Sequence, residues 1–371
     1  MKYCIMPVTE LKQHISGSIF CFGAGRAFDD FMCDFTYLQL EEDIRAIVDN
    51  KVNGWKSFAK VVNNVSIPVI SLEEMLSDIT DRDCILITTA AYEEVAGQLE
   101  KIDKLKNVTY CIYLFLRIEQ YDCDSRKVQM PSCLSVHQEM RIPKIIHYCW
   151  FGGGEMPPRY RKWMESWKKY CPDYEIIEWN EDNYDVHKSR YLSQAYESKK
   201  WAFVSDYARV DLINTYGGIY LDTDVELVKN LDELLKNDAF CGFETARHVA
   251  YGLGFGAVKG HPILRELKEY YDHTDFLKED GAMDLTTCPV IQTGIMKKHG
   301  LSCNGEFQVV GGMTVYPSRV LCGMSPHSFR IEIDPRYTYA VHHFAGSWIG
   351  EEQDESKQKL LAQLKKWGRP Q

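Results

Sequence analysis

The sequence predicts two successive α/β domains, and three observations lead to that prediction. The chain has 371 residues and a mass of 43.0 kDa, which is long for one compact domain and suggests two. Short apolar runs alternate with segments of helical spacing, as they do in α/β folds. A polar stretch at 122–141, which contains Pro131 and has little periodicity, separates two regions of strong strand pattern and marks the domain boundary.

The first domain, residues 1–125, is predicted to be a small Rossmann-like parallel α/β sheet. Its strand patterns alternate with helical ones and lie at 18–22, 44–48, 84–89 and 108–116. The turn Gly23-Ala24-Gly25 and the later Asp49 resemble a truncated dinucleotide-binding fingerprint, in which Phe28 replaces the third glycine. Two interpretations stay open: binding of NAD or another nucleotide, and a structural or partner-docking role.

Composition and charge narrow the classes of function. The formal net charge of −10 argues against a nucleic-acid binder, which normally carries a basic surface. The 13 cysteines are odd in number and include no CxxC pair, so we expect reduced thiols rather than a zinc ribbon or a disulfide framework. No secretion signal opens the chain, and the apolar run at 108–116 is too short to cross a bilayer. We therefore expect a cytoplasmic protein.

Two aspartates follow a predicted strand at 218–221 in the second domain. Asp222 and Asp224 are two residues apart, so both side chains should project from the same side of the strand end. Neighbouring carboxylates repel each other unless a divalent cation lies between them. Oxygen ligands suit Mn²⁺ or Mg²⁺, and substrate phosphates commonly complete the shell of such an ion. The alternative interpretation is a solvated Asp-Thr-Asp turn.

A predicted helix at 203–216 precedes these aspartates and carries a second pair of charged residues. Asp206 and Arg209 are three residues apart and therefore lie on one face of the helix. A glycine pair ends the helix and leads straight into the strand before Asp222. Both pairs of polar side chains are thus expected to face one cleft. The alternative for Asp206 and Arg209 is a surface salt bridge of little energetic value.

These motifs resemble glycosyltransferase family 32, the DXD sugar transferases that include capsular polysaccharide enzymes. The matching motifs are S-D-x-x-R at 205–209, Y-G-G-I-Y-x-D-x-D at 216–224, I-P-K-x-I-H-x-x-W-x-G at 142–152 and H-H-F-A-G-S-W at 342–348. The resemblance implies a GT-A type domain at 141–350, joined to the first domain by a linker at 126–140. The chain departs from the family at 251–254, where it reads Tyr-Gly-Leu-Gly, so the sugar cannot be inferred from the resemblance.

The resemblance also implies a role for each matching residue. Asp224 is expected to bind the metal directly, and Asp222 to contact the ribose and the water shell of the metal. Asp206 and Arg209 are expected to hold the hydroxyls of the donor sugar and its ribose side. Retention of the anomeric configuration is implied as well, and no general base is assigned.

Two further segments are expected to complete the nucleotide site. The residues expected to contact the nucleotide are Trp150, Phe151, Gly152, Ser347 and Trp348. Trp150 should stack on uracil, although a core tryptophan is the alternative. One of His342 and His343 is expected to complete the metal shell, with His343 preferred. The alternative is a pair of ordinary strand histidines.

The resulting prediction is a metal-dependent, retaining hexosyltransferase. Its donor is expected to be a UDP-hexose, with GDP left open, and its acceptor an oligosaccharide or lipid-linked glycan in bacterial capsular or surface polysaccharide synthesis. The segment 351–371 is predicted to be an amphipathic basic helix that either contacts the inner face of the plasma membrane or packs on its own domain. Two alternative functions are an NAD-dependent sugar-modifying enzyme and an inactive nucleotide-sugar-binding scaffold.

Overall fold

A computed structural model of the chain describes residues 1–52, 59–346 and 351–368, with only the helical backbone at 351–354. The chain divides into two compact units. The first comprises Met1–Asp124 together with Gln358–Gln371, and the second comprises Ser125–Lys357. Residues 128–140, most of the predicted linker, include contacts to the body of the second unit, such as the bond from the His137 amide to the Lys236 carbonyl at 2.9 Å.

The first unit is built on a seven-stranded sheet in the order β1-β7-β6-β2-β3-β5-β4. Neighbouring strands are parallel except β4, which pairs antiparallel with β5 at the edge. The strands are β1 Lys2–Tyr3, β2 Ile19–Phe22, β3 Ile44–Val48, β4 Ala59–Val62, β5 Val65–Ile70, β6 Cys84–Ile87 and β7 Thr109–Ile112. This is the predicted Rossmann-like α/β architecture, with one antiparallel edge strand added.

The helices of this unit correct one prediction. They are α1 Leu11–His14, α2 Arg26–Asp34, α3 Leu72–Asp78, α4 Tyr92–Leu99 and α5 Tyr113–Lys127, the last of which continues into the second unit. The sequence predicts a strand over 108–116, but the strand ends at Ile112 and the chain continues as a helix. Tyr113, Phe115 and Leu116 are buried in that helix. A short apolar run does not distinguish a buried strand from the start of a buried helix.

The turn that resembles a dinucleotide fingerprint makes its hydrogen bonds within its own domain. Gly23 has a φ of +114°, and the Ala24 amide donates to Oδ2 of Asp49 at 3.4 Å. The other oxygen of Asp49 accepts from the Lys51 amide at 2.9 Å. Phe28, at the position of the missing third glycine, is fully buried in the core. Nucleotide binding by this unit stays a prediction.

The second unit contains a mixed eight-stranded sheet. Its main path is β15-β16-β12-β14-β10-β8-β9, and β13 pairs with β12 off that path. A separate antiparallel ribbon pairs β11 with β17 and places Val225 opposite His342. The strands are β8 Ile145–Cys149, β9 Glu175–Trp179, β10 Gly218–Tyr220, β11 Val225–Leu227, β12 Ala239–Thr245, β13 His248–Val249, β14 Phe255–Ala257, β15 Gln308–Val310, β16 Met313–Tyr316 and β17 Ala340–His342.

Helix α8 is the element that positions the polar residues of interest. The helices of the unit are α6 Pro158–Tyr170, α7 Arg190–Glu197, α8 Trp201–Tyr216, α9 Pro262–Asp272, α10 Cys288–Lys298 and α11 Ser318–Leu321. Ten residues of α8 are buried, polar ones included. The helix ends at Gly217, where φ is +72°, and Gly218 follows with a φ of +101°. A Cβ on Gly218 would lie 2.8 Å from the Ile145 carbonyl oxygen, so only glycine lets β10 start this close to β8.

A buried histidine holds that glycine turn against the sheet. His147 on β8 has no exposed surface, and its Nε2 lies 3.0 Å from the Gly217 carbonyl oxygen. Its Nδ1 accepts a hydrogen bond from the Trp179 indole at 3.0 Å. These two contacts require a neutral ring that carries its proton on Nε2. Burial lowers the pKa of His147 to about 4, so the ring is neutral at pH 7.

The last helix, α12 Glu351–Trp367, packs its end on the first unit. The Trp367 indole donates to Glu93 at 3.0 Å, and the Tyr3 hydroxyl donates to the Trp367 carbonyl at 2.6 Å. The end of the helix thus packs within the first unit and not on the domain that precedes it in sequence, and membrane contact stays a prediction. Across the described residues, no helix has both the length and the apolar content that a membrane span needs. All 13 cysteines are free thiols.

Candidate active site

The two aspartates of the DXD motif converge with a histidine. Asp222 and Asp224 lie between β10 and β11, and His342 ends β17, the strand that pairs with β11. One ligand atom from each of the three side chains lies within 4.8 Å of the others. His342 Nε2 is 3.3 Å from Oδ1 of Asp224, and Oδ2 of Asp224 accepts from the Ala345 amide at 2.8 Å. The ribbon therefore brings residues from two distant segments to one point.

The structure corrects the predicted third metal ligand. The ring of His343, the preferred residue, stacks on Trp163 with a centroid distance of 4.3 Å, and its Nε2 lies 2.8 Å from Oε2 of Glu226. The physical reason is the alternation of side chains along an extended chain, which sends neighbouring residues to opposite faces. Because Val225 pairs with His342, it is His342 that faces Asp224.

Arg209 connects the helix to the DXD loop. Its NH2 group lies 3.3 Å from Oδ1 of Asp206 and 3.1 Å from Oδ1 of Asp222. The Arg209 and Asp206 side chains are only 6% and 8% exposed, so this is not the surface salt bridge of the alternative interpretation. Nε of Arg209 donates to the Ser205 carbonyl at 3.2 Å. Because these bonds use most of its N–H groups, Arg209 fixes both carboxylates in place and has few donors left for a ligand.

The surroundings shift the pKa values of these carboxylates in different directions. Burial raises the pKa of Asp206 and of Asp222, and Arg209 partly offsets that effect. Burial also acts to raise the pKa of Asp224, but the charge of His342 and several hydrogen bonds outweigh it and lower the pKa to about 2. For His342, burial acts to lower the pKa, while Asp224 raises it above its ordinary value. Mutual repulsion between the two DXD carboxylates favours a bound cation.

The donor atoms fit a divalent ion. Two carboxylates and one imidazole suit Mn²⁺, and the imidazole makes the set less typical of Mg²⁺, which prefers oxygen ligands. Nδ1 of His342 is buried and has no hydrogen-bond partner among the described residues, which leaves Nε2 to face the carboxylates. Three protein ligands leave room for water and phosphate oxygens. The residues that would hold the ion are Asp222, Asp224 and His342.

A cavity of about 510 Å³ surrounds these groups. Its described walls include Trp150, Trp201, Glu244, Gly252 and Cys288, besides the charged residues above. A volume of this size suits a small organic ligand, and few polar groups converge in it. The predicted residues Asp206, Arg209, Asp222, Asp224 and Trp150 all line this one cavity, while their individual roles stay predictions.

The predicted base-binding segment is only partly free for a ligand. Trp150 lines the cavity, and its indole donates to the Gly154 carbonyl at 2.7 Å. Phe151 is 6% exposed and packs against Tyr184 in the core. The Gly152 amide already donates to Oε1 of Glu181 at 2.6 Å, so it is not free to read the edge of a base. Predicted residues Ser347 and Trp348 lie outside the described residues.

Several lining residues have no predicted role in the sequence analysis, and four of them are Trp201, Gly252, Glu244 and Cys288. A Cβ on Gly152 would lie 2.6 Å from the Trp201 ring, so Trp201 packs directly on the base-binding segment. In the sequence, Gly252 stands out only because it lies in the segment 251–254, which departs from the family pattern. Glu244 and Cys288 carry no motif at all, because their approach to the cavity depends on how distant elements pack. Cys288 Sγ lies 3.8 Å from NH1 of Arg209.

Comparisons with known proteins bear on this site. Residues 157–241, which include both charged motifs, match the family described as "Glycosyltransferase sugar-binding region containing DXD motif". This region thus has the sequence pattern of a DXD glycosyltransferase sugar-binding region. Its fold is GT-A-like, with mixed α/β sheet and the DXD motif after a central strand. Such a domain generally uses a nucleotide-sugar donor and a divalent metal.

Two curated relatives are similar to part of this chain. Inositol phosphoceramide mannosyltransferase 3 of Schizosaccharomyces pombe is 30% identical over 139 residues, which are 35% of this chain and 37% of the relative. A mannosyl phosphorylinositol ceramide synthase of Saccharomyces cerevisiae is 30% identical over 137 residues, or 35% and 36% of the two chains. The chain thus spans little more than a third of the length of these relatives. Neither name refers to capsular polysaccharide, so these relatives do not support that expectation.

A solved structure is also similar to part of this chain. The PaToxG glycosyltransferase is 19% identical, with a TM-score of 0.32, and the match covers 48% of this chain and 74% of that one.

Proposed function

We propose that the second unit transfers a hexosyl group from a nucleoside diphosphate sugar to a hydroxyl group with the help of a divalent metal. The observation that carries the proposal is the convergence of Asp222, Asp224 and His342 in a cavity that also contains the buried Asp206–Arg209 pair. A cation site beside a sugar-sized polar pocket suits a substrate in which a sugar is joined to a diphosphate.

Each side chain has a defined task in this proposal. When bound, the metal neutralises the charge that develops on the departing diphosphate. Asp222, Asp224 and His342 would hold the ion, and Asp222 would also contact the ribose. Asp206 accepts hydrogen bonds from donor-sugar hydroxyls. Arg209 favours the ionised forms of Asp206 and Asp222 and orients both side chains, because it lies within 3.3 Å of both. Fixed groups of this kind position the anomeric carbon for attack.

The proposed donor and acceptor are based on the names of the relatives and on the family resemblance. The relatives named for mannosyl transfer make GDP-mannose the first donor to test. A stacking role for Trp150 favours a UDP-hexose, because uracil is the base that the family resemblance assigns to it. The proposed acceptor is a hydroxyl of a glycan or of a glycosylated or inositol-containing lipid, and the reaction is placed in the cytoplasm at a membrane face.

The deciding experiment is a panel of UDP- and GDP-sugars incubated with the full-length protein and Mn²⁺, without acceptor. We expect hydrolysis of at least one sugar nucleotide, abolished by EDTA and reduced at least about 100-fold in Asp224→Ala. Glu175→Ala serves as the matched control, because this exposed carboxylate lies at the start of β9, outside the cavity. Full activity in Asp224→Ala would contradict the metal assignment, and hydrolysis of none of the donors would contradict the proposed activity.

A further inference from the structure

One carboxylate in the cavity has no assigned task. The four described carboxylates that line it are Asp206, Asp222, Asp224 and Glu244. The first two pair with Arg209 and the third with His342 and the Ala345 amide. Within the described part of the chain, Glu244 makes neither a hydrogen bond nor an ion pair. A half-buried carboxylate that makes no hydrogen bond loses hydration without a hydrogen bond to replace it.

The backbone at this position is irregular in a way that redirects the side chain. Along the β12–β13 ladder Phe243 pairs with Val249, but Thr245 pairs with His248. Glu244 is therefore an extra residue on β12 that has no partner across the ladder. Such a β-bulge bends its strand and re-aims a side chain, and bulges are common beside active sites. The bulge lies at the edge of the cavity, and Glu244 is one of its lining residues.

The charged neighbours of Glu244 place it at the metal side of the cavity. Burial raises the pKa of Glu244, and the charges of His342 and His248 act in the opposite direction. Asp206 instead has Arg209, Cys288 and Asp222 as its electrostatic neighbours. Among the described residues the three-residue ligand group does not include Glu244. Glu244 is therefore near His342, but it belongs neither to the ligand group nor to the Asp206–Arg209 pair.

We propose that Glu244 accepts a hydrogen bond from the attacking hydroxyl of the acceptor, or from water when no acceptor is present. This inference rests on the proposed function. The bond that breaks joins the anomeric carbon to the diphosphate, which the metal would hold. An attacking oxygen that arrives from the side of the cavity lined by Glu244 would meet this carboxylate. A single well-oriented acceptor for that O–H would hold the oxygen in line with the anomeric carbon.

In the proposed transfer step, Glu244 forms no covalent bond and takes up no proton. The hydroxyl oxygen forms a bond to the anomeric carbon, and the bond from that carbon to the diphosphate oxygen breaks. The nucleoside diphosphate leaves with the bonding electron pair and takes the hydroxyl proton. Glu244 is thus a substrate-contacting residue that orients the attacking group and remains a carboxylate throughout.

The test compares Glu244→Ala and Glu244→Gln with the control Glu175→Ala in full-length protein. The kcat for donor hydrolysis by water is measured with Mn²⁺ and the best donor of the panel, and the Kd values for that donor and for its nucleoside diphosphate are measured by calorimetry. We expect Glu244→Ala to lower kcat about 100-fold and Glu244→Gln about tenfold, because an amide oxygen still accepts but more weakly than a carboxylate. All Kd values should remain at the wild-type level.

Other outcomes would overturn the assignment. An unchanged kcat in Glu244→Ala would exclude a role in orienting the attacking group. Weaker binding of the sugar nucleotide with unchanged binding of the nucleoside diphosphate would place Glu244 on the donor sugar. A lower Mn²⁺ affinity would make it a metal ligand. Circular dichroism checks that both variants fold, and the nearly isosteric glutamine keeps the test meaningful if the alanine variant does not. Failure of the proposed function itself would appear earlier, as a wild-type protein that hydrolyses no donor.

Discussion

His342 and His343 are adjacent in sequence but lie in different surroundings. His342 faces Asp224, whereas His343 stacks on Trp163 and contacts Glu226. The sequence indicates that one of the pair belongs to the site. It cannot say which, because the choice depends on the register between β11 and β17, and that register is set by residues more than a hundred positions apart.

Separate substitution of these histidines tests the assignment. We expect His342→Ala to weaken Mn²⁺ binding about 10- to 100-fold, a range typical of changes to the surroundings of a bound metal. His343→Ala should leave Mn²⁺ binding close to that of the wild type, because its ring stacks on Trp163 and contacts Glu226 instead of the DXD carboxylates. Mn²⁺ affinity is measured by electron paramagnetic resonance of the free ion, which does not depend on activity. Equal losses in both variants would contradict the assignment to His342.

His147 gives a prediction about stability and pH. Its pKa in the folded protein, about 4, is below the ordinary value of about 6.5. As pH falls through this window the unfolded chain takes up the proton first, so the folded state loses stability. The contribution is about 3 kcal/mol, fully present above pH 6.5 and lost by pH 4. Urea unfolding followed by tryptophan fluorescence at several pH values measures it.

The matched variants are His147→Gln and His273→Gln, the second of which changes an exposed histidine. His147→Gln should be less stable at pH 7 and should lose less stability between pH 6.5 and 4. His273→Gln should follow the wild-type pH dependence. A wild-type slope that persists in His147→Gln would mean that other groups cause the acid sensitivity.

At the scale of the elements, local patterns identify most strands and helices but not where one becomes the other. The run at 108–116 contains all of β7 and the start of α5. Apolar residues of both elements are buried, so burial alone does not mark the point where the strand ends. The bulge at Glu244 is equally hidden, because a bulge is a property of two paired strands and not of one sequence segment. The motif-bearing elements α8 and β10 are recovered because helical spacing, a glycine pair and an apolar run follow one another.

In the short turn Tyr251–Leu253, Gly252 affects the site because it has no side chain. A Cβ on Gly252 would lie 2.5 Å from Oδ2 of Asp222 and 3.3 Å from NH1 of Arg209. We expect Gly252→Ala to shift these groups and to lower kcat/KM for donor hydrolysis about 100-fold, the cost of a displacement near 1 Å in a catalytic site. Gly294→Ala is the control, since no atom lies within 4 Å of its added Cβ. Equal activity in the two variants would show that Asp222 accommodates the added methyl group without loss of function.

At the scale of the whole molecule, the chain has two units with separate cores. Calorimetry of the full-length protein should show that Mn²⁺ plus the tightest-binding nucleoside diphosphate raises the melting temperature of one transition. The ligand stabilises its own unit by about 2.7 kcal/mol at 100 times Kd. Asp224→Ala should abolish the shift, which identifies the second unit. A shift of the other transition would indicate that nucleotide binds to the first unit.

The sequence predicts that a Rossmann-like domain precedes a GT-A type domain. It also predicts the four charged residues that line the cavity, which are Asp206, Arg209, Asp222 and Asp224. It does so because each pair lies within one local element or turn, where spacing determines direction. His342, Glu244 and Trp201 could not be assigned in the same way. Their positions depend on strand register, on a bulge and on packing between segments, and these long-range properties leave no periodic signal in a single sequence.

The bond from the Ala345 amide to Asp224 spans 121 positions of the chain, and it has a consequence for biosynthesis. A ribosome adds roughly 5–20 residues per second, so about 6–24 s separate the appearance of the aspartate from that of the segment that completes its surroundings. During that interval β10 and the DXD loop exist without β17. A nascent chain stalled before residue 340 would therefore carry both acidic residues and α8 but would not hold a metal ion, and the emerging polypeptide would gain its ion-binding capacity only near the end of the second unit.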